Sequence, residues 1–585
     1  MKKRLICLLL SVVMMLACLV GCAQKTDEEA IDDVNEQASE SALTLVMYLL
    51  AEEKVSPEQE QKIEEAVNKI TKAKFKAQLD LKFFTAEDDE YYKALESAFA
   101  ARLEAEEAGL IVEEEESDAP KEDETFENDY GMVEIKYPTV SGYQVDIFYL
   151  GGYEKFSTYR EMGMLQNLNE ELNSASKIIK EYISQDLLEG AKTAQGGVYA
   201  LPTNTGIGEY TYLLLNKEAL SDLRYNTDEG LSKFKSFTGA DTQKFLSDIS
   251  KYYGKYVPLY SDMSNTELAS IQGIKYWGVD ENGELCDDFS IIGSNYAIGA
   301  KFGTEESYMP TVNNLFTTTT FYSAYLDVVM DYRANGYFGT RDDLDSGKVA
   351  MACLKGSPEI AHRYSDKYVA VPISTPVLKT EDLYRDMFAV SSYTSSVSRS
   401  MKVLTYLNTN EEFRNLILYG IEGENYKFVE SDYKDADGNP YMVVERNGSY
   451  MMDVDKTGNT FLAYPQVGED PTLIEFIKEQ NRNVSTSTIM GFRLDYDDNI
   501  VNAAQLQQMR ALSAEVKKLF DEATASNYLM TKLKVNSLLT NKANATLIDS
   551  LCSTAEPAEG SQAGIAYVYT SWAIANKLYV PPTEE

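Results

Sequence analysis

The order of hydrophobic patterns between Leu43 and Leu150 narrows the fold more than any other feature of the chain. Residues 43–50 (LTLVMYLL) form a continuous apolar run, the mark of a strand buried on both faces. A helix start follows, with Ser56 as N-cap, Pro57 at the first helical position and Gln59 placed to complete a capping box. Ile63, Ala66, Val67 and Ile70 recur at helical spacing and give that helix one buried stripe. Residues 77–84 alternate as a strand does, 88–108 carry Tyr92, Leu95, Phe99 and Leu103 on one helical side, and 143–150 read as a third strand. Strand, helix, strand, helix, strand is the signature of a doubly wound α/β layer.

Residues 104–128 interrupt this layer with Glu113-Glu114-Glu115-Glu116 and Lys121-Glu122-Asp123-Glu124, a composition expected of a solvated surface insertion. Further on, 210–216 (YTYLLLN) read as a strand with a helix from Lys217, 321–334 as a helix, 348–354 (KVAMACL) as a short strand, and 386–390 as a strand leading into a helix at 397–407. Turn signals crowd 426–468, at Asp437-Gly438-Asn439, Asn447-Gly448 and Thr457-Gly458-Asn459, which is β-hairpin material. Segments 502–525, 528–539 and 565–578 read as helices, and no repeat of fixed period occurs.

Composition removes several kinds of chemistry. The 585 residues carry 54 Lys+Arg against 93 Asp+Glu, a formal charge of −39, so a phosphate backbone finds no basic surface and nucleic acid is not an expected partner. Any catalytic triad or histidine-rich metal site would have to use the single histidine, His362, which reads as an exposed helical residue. Of the six cysteines, Cys7, Cys18 and Cys22 lie in the N-terminal segment and Cys286, Cys353 and Cys552 are scattered, so neither a disulfide framework nor a zinc ribbon is expected. No cofactor is expected either. Gly206-Ile207-Gly208 lacks the rest of a dinucleotide fingerprint. The stretches from Asp435 and Asp453 mimic a calcium loop but carry Arg446 and Tyr464 at the twelfth position, where a bidentate Glu is needed. A pair of carboxylates acting as a glycoside hydrolase needs no histidine and stays open as the enzymatic alternative. Tyrosine is abundant, 41 against 22 Phe and 2 Trp, and its ring offers a stacking face with a hydroxyl for a bound solute.

Lys2, Lys3 and Arg4 precede an apolar run over 5–20 that ends in Leu19-Val20-Gly21-Cys22, which resembles a bacterial lipobox. Residues 1–21 are thus expected to be a lipoprotein signal peptide, Cys22 the lipidated residue, and 22–41 an acidic tether to the membrane.

Further motifs follow in order: LTLVMY at 43–48, VDIF at 145–148, GMLQNL at 163–168, YALP at 199–202, LLLNK at 213–217, GKVAM at 347–351, YGIEGENY at 419–426 and GFRLD at 491–495. This succession resembles the extracellular solute-binding proteins, family 1, of bacterial ABC importers. The chain departs from that family in its scarce tryptophan and its acidic insertion. The resemblance implies an α/β, two-lobed, type II periplasmic-binding-protein-like fold with extra C-terminal helices and β-hairpins. It places a first lobe at 42–202, a second at 203–372, and segments returning to both lobes, with a hairpin and helical region, at 373–585. Crossings between lobes are expected near 202–206 and 372–376. Ligand would lie in the cleft, on loops at the carboxyl ends of strands. The candidates are Tyr149, Gly151, Gly152, Tyr153, Asn204 and Tyr210, with Lys355 and Gly356 from the second lobe and Glu422 and Tyr426 completing the wall. The implied function is capture of a small solute, a sugar or oligosaccharide, by hinge closure for delivery to ABC permease subunits, by a monomer that performs no chemistry. A peptide or other solute is the alternative cargo, and an acidic adhesion protein a further reading.

Overall fold

The structure, a computed structural model, describes residues 41–85, 90–109, 137–193, 196–271, 321–435, 437–487, 490–492, 503–558, 561 and 563–575, with short strands at 125–127, 133–135, 289–291, 298–301 and 311–314. Cys22 and most of the acidic insertion lie outside the described residues, as does Cys286. The helix that enters the insertion runs to Glu107.

Two mixed sheets organise the chain. In chain order the strands are β1 (Leu43–Ala51), β2 (Ala77–Thr85), β3 (Ile147–Leu150), β4 (Leu201–Pro202), β5 (Tyr210–Asn216), β6 (Val257–Tyr260) and β7 (Val349–Gly356). They continue with β8 (Tyr368–Ser374), β9 (Val377–Leu378), β10 (Met387–Val390), β11 (Tyr426–Lys434), β12 (Pro440–Arg446) and β13 (Ser485–Thr486). The first sheet has the order β2-β1-β3-β10-β4 and the second β8-β5-β7-β6. β1 pairs in parallel with β2 from Leu43↔Ala77 to Ala51↔Thr85, and with β3. β10 runs antiparallel to both β3 and β4. In the second sheet β6 and β7 are parallel, while β5 runs against β7 and β8.

The continuous apolar run of β1 is explained by burial on both faces: every residue from Leu45 to Ala51 is buried. Helices α1 (Pro57–Phe75) and α2 (Glu90–Glu107) cover this sheet through Ile63, Val67, Leu95 and Phe99. Ser56 caps α1 by accepting from the Gln59 amide. The expected capping box does not close, because the Gln59 side chain instead accepts a hydrogen bond from Asn425. On α2 the buried face runs through Tyr91, Leu95 and Phe99, and Leu103 is exposed. The third strand is shorter than its pattern suggested, beginning at Ile147. Before it, the buried Asp146 carboxylate accepts from Val46 N, Gln144 Nε2, Thr394 Oγ1 and Ser395 N at 2.6–2.8 Å, tying three segments together.

The second sheet is covered on one face by helices including α3 (Phe321–Ala334). After β10, α4 (Val397–Thr409) and α5 (Glu411–Tyr419) join the first-lobe core through Met401, Leu404, Phe413 and Leu418. The hairpin β11–β12 and the chain that follows also belong there, through Val444, Tyr450 and Met452. Of the three turn signals only Asp437-Gly438-Asn439 makes a hairpin. Asn447-Gly448 and Thr457-Gly458-Asn459 shape an irregular loop instead. The C-terminal helices, α7 (Ala503–Asp521), α8 (Tyr528–Leu539), α9 (Lys542–Leu551) and α10 (Ile565–Ala575), follow α6 (Leu473–Arg482) and pack into the second-lobe core. The sequence reading missed α9.

The lobes are linked by crossings. Residues 203–209 connect β4 to β5, and 375–386 connect β8 to β10. A third passes through β13, which pairs with β9 inside the second crossing. At Gly208 (φ +58°) a Cβ would lie 2.9 Å from the Val377 amide nitrogen and 3.2 Å from Pro376 Cβ, so glycine lets the first two crossings touch. This accounts for the isolated GxG. Helix α6 braces the place: Gln480 Nε2 donates to the carbonyls of Ile207 and Gly208, and Asn481 receives the Ile207 amide and donates to the Thr205 carbonyl.

Candidate interlobe binding cleft

Both sheets turn the same kind of edge toward the crossings. On the first, β1, β2, β3 and β4 end there and β10 begins, with Met387 opposite Leu150 and Pro202. On the second, β6, β7 and β8 end and β5 begins, with Gly356 opposite Tyr210 and Ser374 opposite Thr211. The seven residues 203–209 join Pro202 on one edge to Tyr210 on the other, so those two edges lie within about 28 Å at full chain extension. Loops at strand ends on both sides therefore define the candidate site.

The first-lobe wall gathers Tyr149, Gly151, Gly152 and Tyr153. The Tyr149 hydroxyl donates to Asp386 Oδ1 at 2.6 Å, and burial, then the Asp386 charge, push its phenol far up, so it stays a neutral donor. A Cβ on Gly151 would sit 2.8 Å from that hydroxyl, and the Gly151 amide donates to the Tyr92 hydroxyl at 3.1 Å. Gly152 has φ +86°, begins the helix Tyr153–Glu161 and gives its amide to the Tyr384 carbonyl. The Tyr153 ring meets the Tyr384 ring edge-on at 5.0 Å.

Asn204 serves the crossing itself. Its amide donates to the Tyr182 carbonyl at 2.6 Å and to Asn459 at 3.2 Å, and its own carbonyl accepts from Thr460. Both side-chain protons are thus committed within the protein. On the second lobe Tyr210 is buried, stacks on Tyr212 with centroids 5.3 Å apart, and has Asn483 of the third crossing near its hydroxyl. Burial raises its phenol as well. Lys355 lies at the end of β7, 3.4 Å from Glu267, and Gly356 leaves room for the Ile360 side chain. Glu422 and Tyr426 stand apart at the base of the hairpin. Tyr426 packs on Tyr419 and Phe428, Glu422 is exposed, and no described interaction joins either to the Tyr149–Asp386 group.

Sequence reasoning missed the charged part of this wall. Asp386, at the head of β10, takes Tyr149 on one oxygen and Arg385 Nε on the other at 3.3 Å. The loop after β12 follows the first-lobe edge, bridging Ala51 at Met452, and brings Asp453 and Asp455 beside Asp386. Asp453 pairs with Lys456 at 2.9 Å and receives the Asp455 amide. Asp455 reaches the first crossing at Thr205. Burial, then repulsion from Asp386 and Asp453, holds its carboxyl above the ordinary value. Two arginines support the loop: the partly buried Arg446 donates to the carbonyls of Leu418 and Met452, and the buried Arg414 to that of Val454. The available signal was Asp386 directly before an apolar four-residue strand, where a polar residue marks a sheet end.

A separate groove of about 330 Å3 lies between α1 and the outer edge of β2, lined by Glu60, Glu64, Asp80, Lys82, Phe83 and Phe84 among others. All its residues come from the first lobe, so it is not the cleft. His362 is exposed and meets Phe476 of α6 at 5.3 Å. No group of acidic, histidine or cysteine side chains among the described residues has the arrangement of a metal site. No described helix is long and apolar enough to cross a membrane.

No family model matches the chain. Over 137 residues, 23% of its length, it is 26% identical to a carbohydrate ABC transporter substrate-binding protein of Streptococcus pneumoniae serotype 4, and this stretch spans about a quarter (27%) of that relative. Among solved structures, the N-glycan transport solute binding protein NgtS of Streptococcus pneumoniae aligns over 91% of this chain and 99% of its own, with a TM-score of 0.50 at 15% identity. An extracellular solute-binding protein family 1 member from Alicyclobacillus acidocaldarius aligns over 86% of this chain and 100% of its own, with a TM-score of 0.41 at 12% identity. The likeness to NgtS shows the fold: a two-lobed α/β architecture.

Proposed function

We propose that this protein is an extracellular solute-binding receptor of an ABC importer, closing its two lobes over a sugar or oligosaccharide that it holds without altering. The observation that carries the reading is the pair of facing sheet edges, joined by crossings that touch at Gly208 and equipped with tyrosine hydroxyls and carboxylates. Such an arrangement suits a hinge that encloses a polar solute. The name of the similar NgtS supports a glycan as cargo, and the short match to a carbohydrate substrate-binding protein points the same way. The finer parts of the reading are lipid attachment at Cys22, outward exposure at the cytoplasmic membrane, permease subunits as partners and a monomeric state. Tyr149, Gly151, Gly152, Tyr153, Tyr210, Lys355 and Gly356 remain the proposed cleft residues. Asn204 fits a role in holding the crossing, and Glu422 and Tyr426 would contribute only from the hairpin flank.

A thermal-shift screen against glycans and peptides tests the cargo. A ligand present at 100 times its Kd adds about 2.7 kcal/mol of stability. Stabilisation by glycans and none by peptides is the expected result, and the reverse would reassign the cargo. The neighbouring carboxylates Asp386 and Asp455 favour hydrolysis as the second reading. Recovery of the bound glycan unchanged after prolonged incubation, checked by mass spectrometry, would remove it.

A further inference from the structure

Asp455 differs from the two carboxylates beside it. Asp386 is engaged by Tyr149 and Arg385, and Asp453 by Lys456 and a backbone amide. For Asp455 the described polar neighbour is Thr205 Oγ1, at the long distance of 3.5 Å, and among the described residues no cation pairs with it. Arg414 lies under the same loop with no exposed surface, and its Nη2 donates to the Val454 carbonyl at 2.8 Å. Its Nε and Nη1 donate to no protein atom among the described residues. A loop built for stability alone would close that guanidinium on the adjacent carboxylate, since buried donors are almost always satisfied. Here the cation steadies the loop from behind through one backbone bond and leaves the acid toward the crossing. An ionised carboxylate offers about four acceptor positions and no donor. It therefore matches hydroxyl protons and opposes a second anion.

Resting on the sugar-receptor reading above, we propose that Asp455, reinforced by Asp386 and Asp453, determines specificity in the cleft: it accepts hydrogen bonds from the hydroxyls of one neutral sugar ring and rejects a ring that carries a carboxylate. The test is calorimetric titration of the full chain with maltotetraose, mannopentaose and a desialylated N-glycan. Each neutral glycan that binds is then compared with derivatives oxidised to the uronic acid at one ring at a time. At one ring the uronate is expected to bind about 100-fold more weakly than its parent. Asp455→Asn is expected to weaken the neutral parent about 10-fold and to shrink that gap to about 10-fold. Asp435→Asn, in the remote hairpin turn, leaves both values unchanged. Equal binding of every uronate and its parent, a comparison that needs no variant, overturns the proposal. So does a gap that survives Asp455→Asn in a variant that still unfolds in one cooperative transition at or above the parent's melting temperature. If no glycan of either kind binds, the sugar-receptor reading itself falls and this inference with it.

Discussion

Asp146 and Asp455 are both carboxylates whose burial raises their pKa, and they answer that cost in different ways. Asp146 accepts four hydrogen bonds from three segments of the first lobe. Asp146→Ala would strand the amides of Val46 and Ser395 and is expected to destabilise the protein by about 3 kcal/mol in urea unfolding. Asp455 has only the long Thr205 contact and the Arg385 charge to offset that cost, and its ionisation works against the folded state. A folded pKa above the unfolded one means that this penalty is absent at low pH and grows as pH rises from the unfolded value through the folded one. Asp455→Asn should therefore raise the melting temperature of the unliganded protein at neutral pH and leave it unchanged in acid. For ligand binding the sign reverses, because the charged form is the acceptor. Glycan affinity should fall on acidification, beginning above the ordinary carboxylate range. The groups that face Asp455 and set this titration are Asp386, Asp453, Arg385 and Arg414. A pH series of binding constants, flat in Asp455→Asn, checks it.

At the scale of elements, legibility followed the range of the forces involved. β5 and α3 were readable to the residue, because an unbroken apolar run and a helical stripe are local signals. The Gln59 box failed because Asn425, distant in sequence, offers a competing hydrogen bond. Tyr149 and the two glycines could be assigned to the sheet edge that faces the crossings from sequence because they lie at the end of a visible strand. Asp453 and Asp455 were seen only as a failed calcium loop, since nothing local says that Arg414 and Arg446 pin that loop to a sheet edge. Gly208→Ala places a methyl against the Val377 backbone at a positive φ, and is expected to cost roughly 1–2 kcal/mol and to weaken solute binding. Calorimetry alongside chemical unfolding separates the two effects.

Over the whole molecule, amphipathic stripes told that the C-terminal helices are buried but not against what. They complete the second lobe: Met509, Val516, Leu551 and Tyr569 are buried in the same core as Leu213 and Met351. Asn265 anchors them by donating to the carbonyls of Phe520, Asp521 and Ala523. At about 1.5–3 kcal/mol each, the four C-terminal apolar side chains alone contribute on the order of the whole 5–15 kcal/mol by which domains are ordinarily stable, so removing 503–585 is expected to unfold the second lobe. The truncated chain is expected to lose its cooperative second-lobe unfolding transition in calorimetry, while the first-lobe transition persists.

β1 begins at Leu43, beside the start of β2, and its other end, Ala51, reaches the edge that faces the crossings. A leash attached before Leu43 would thus pull on the back of one jaw, with the mouth opening at the front. Only that jaw would be moored, and the other, carrying the C-terminal helices, would do the swinging.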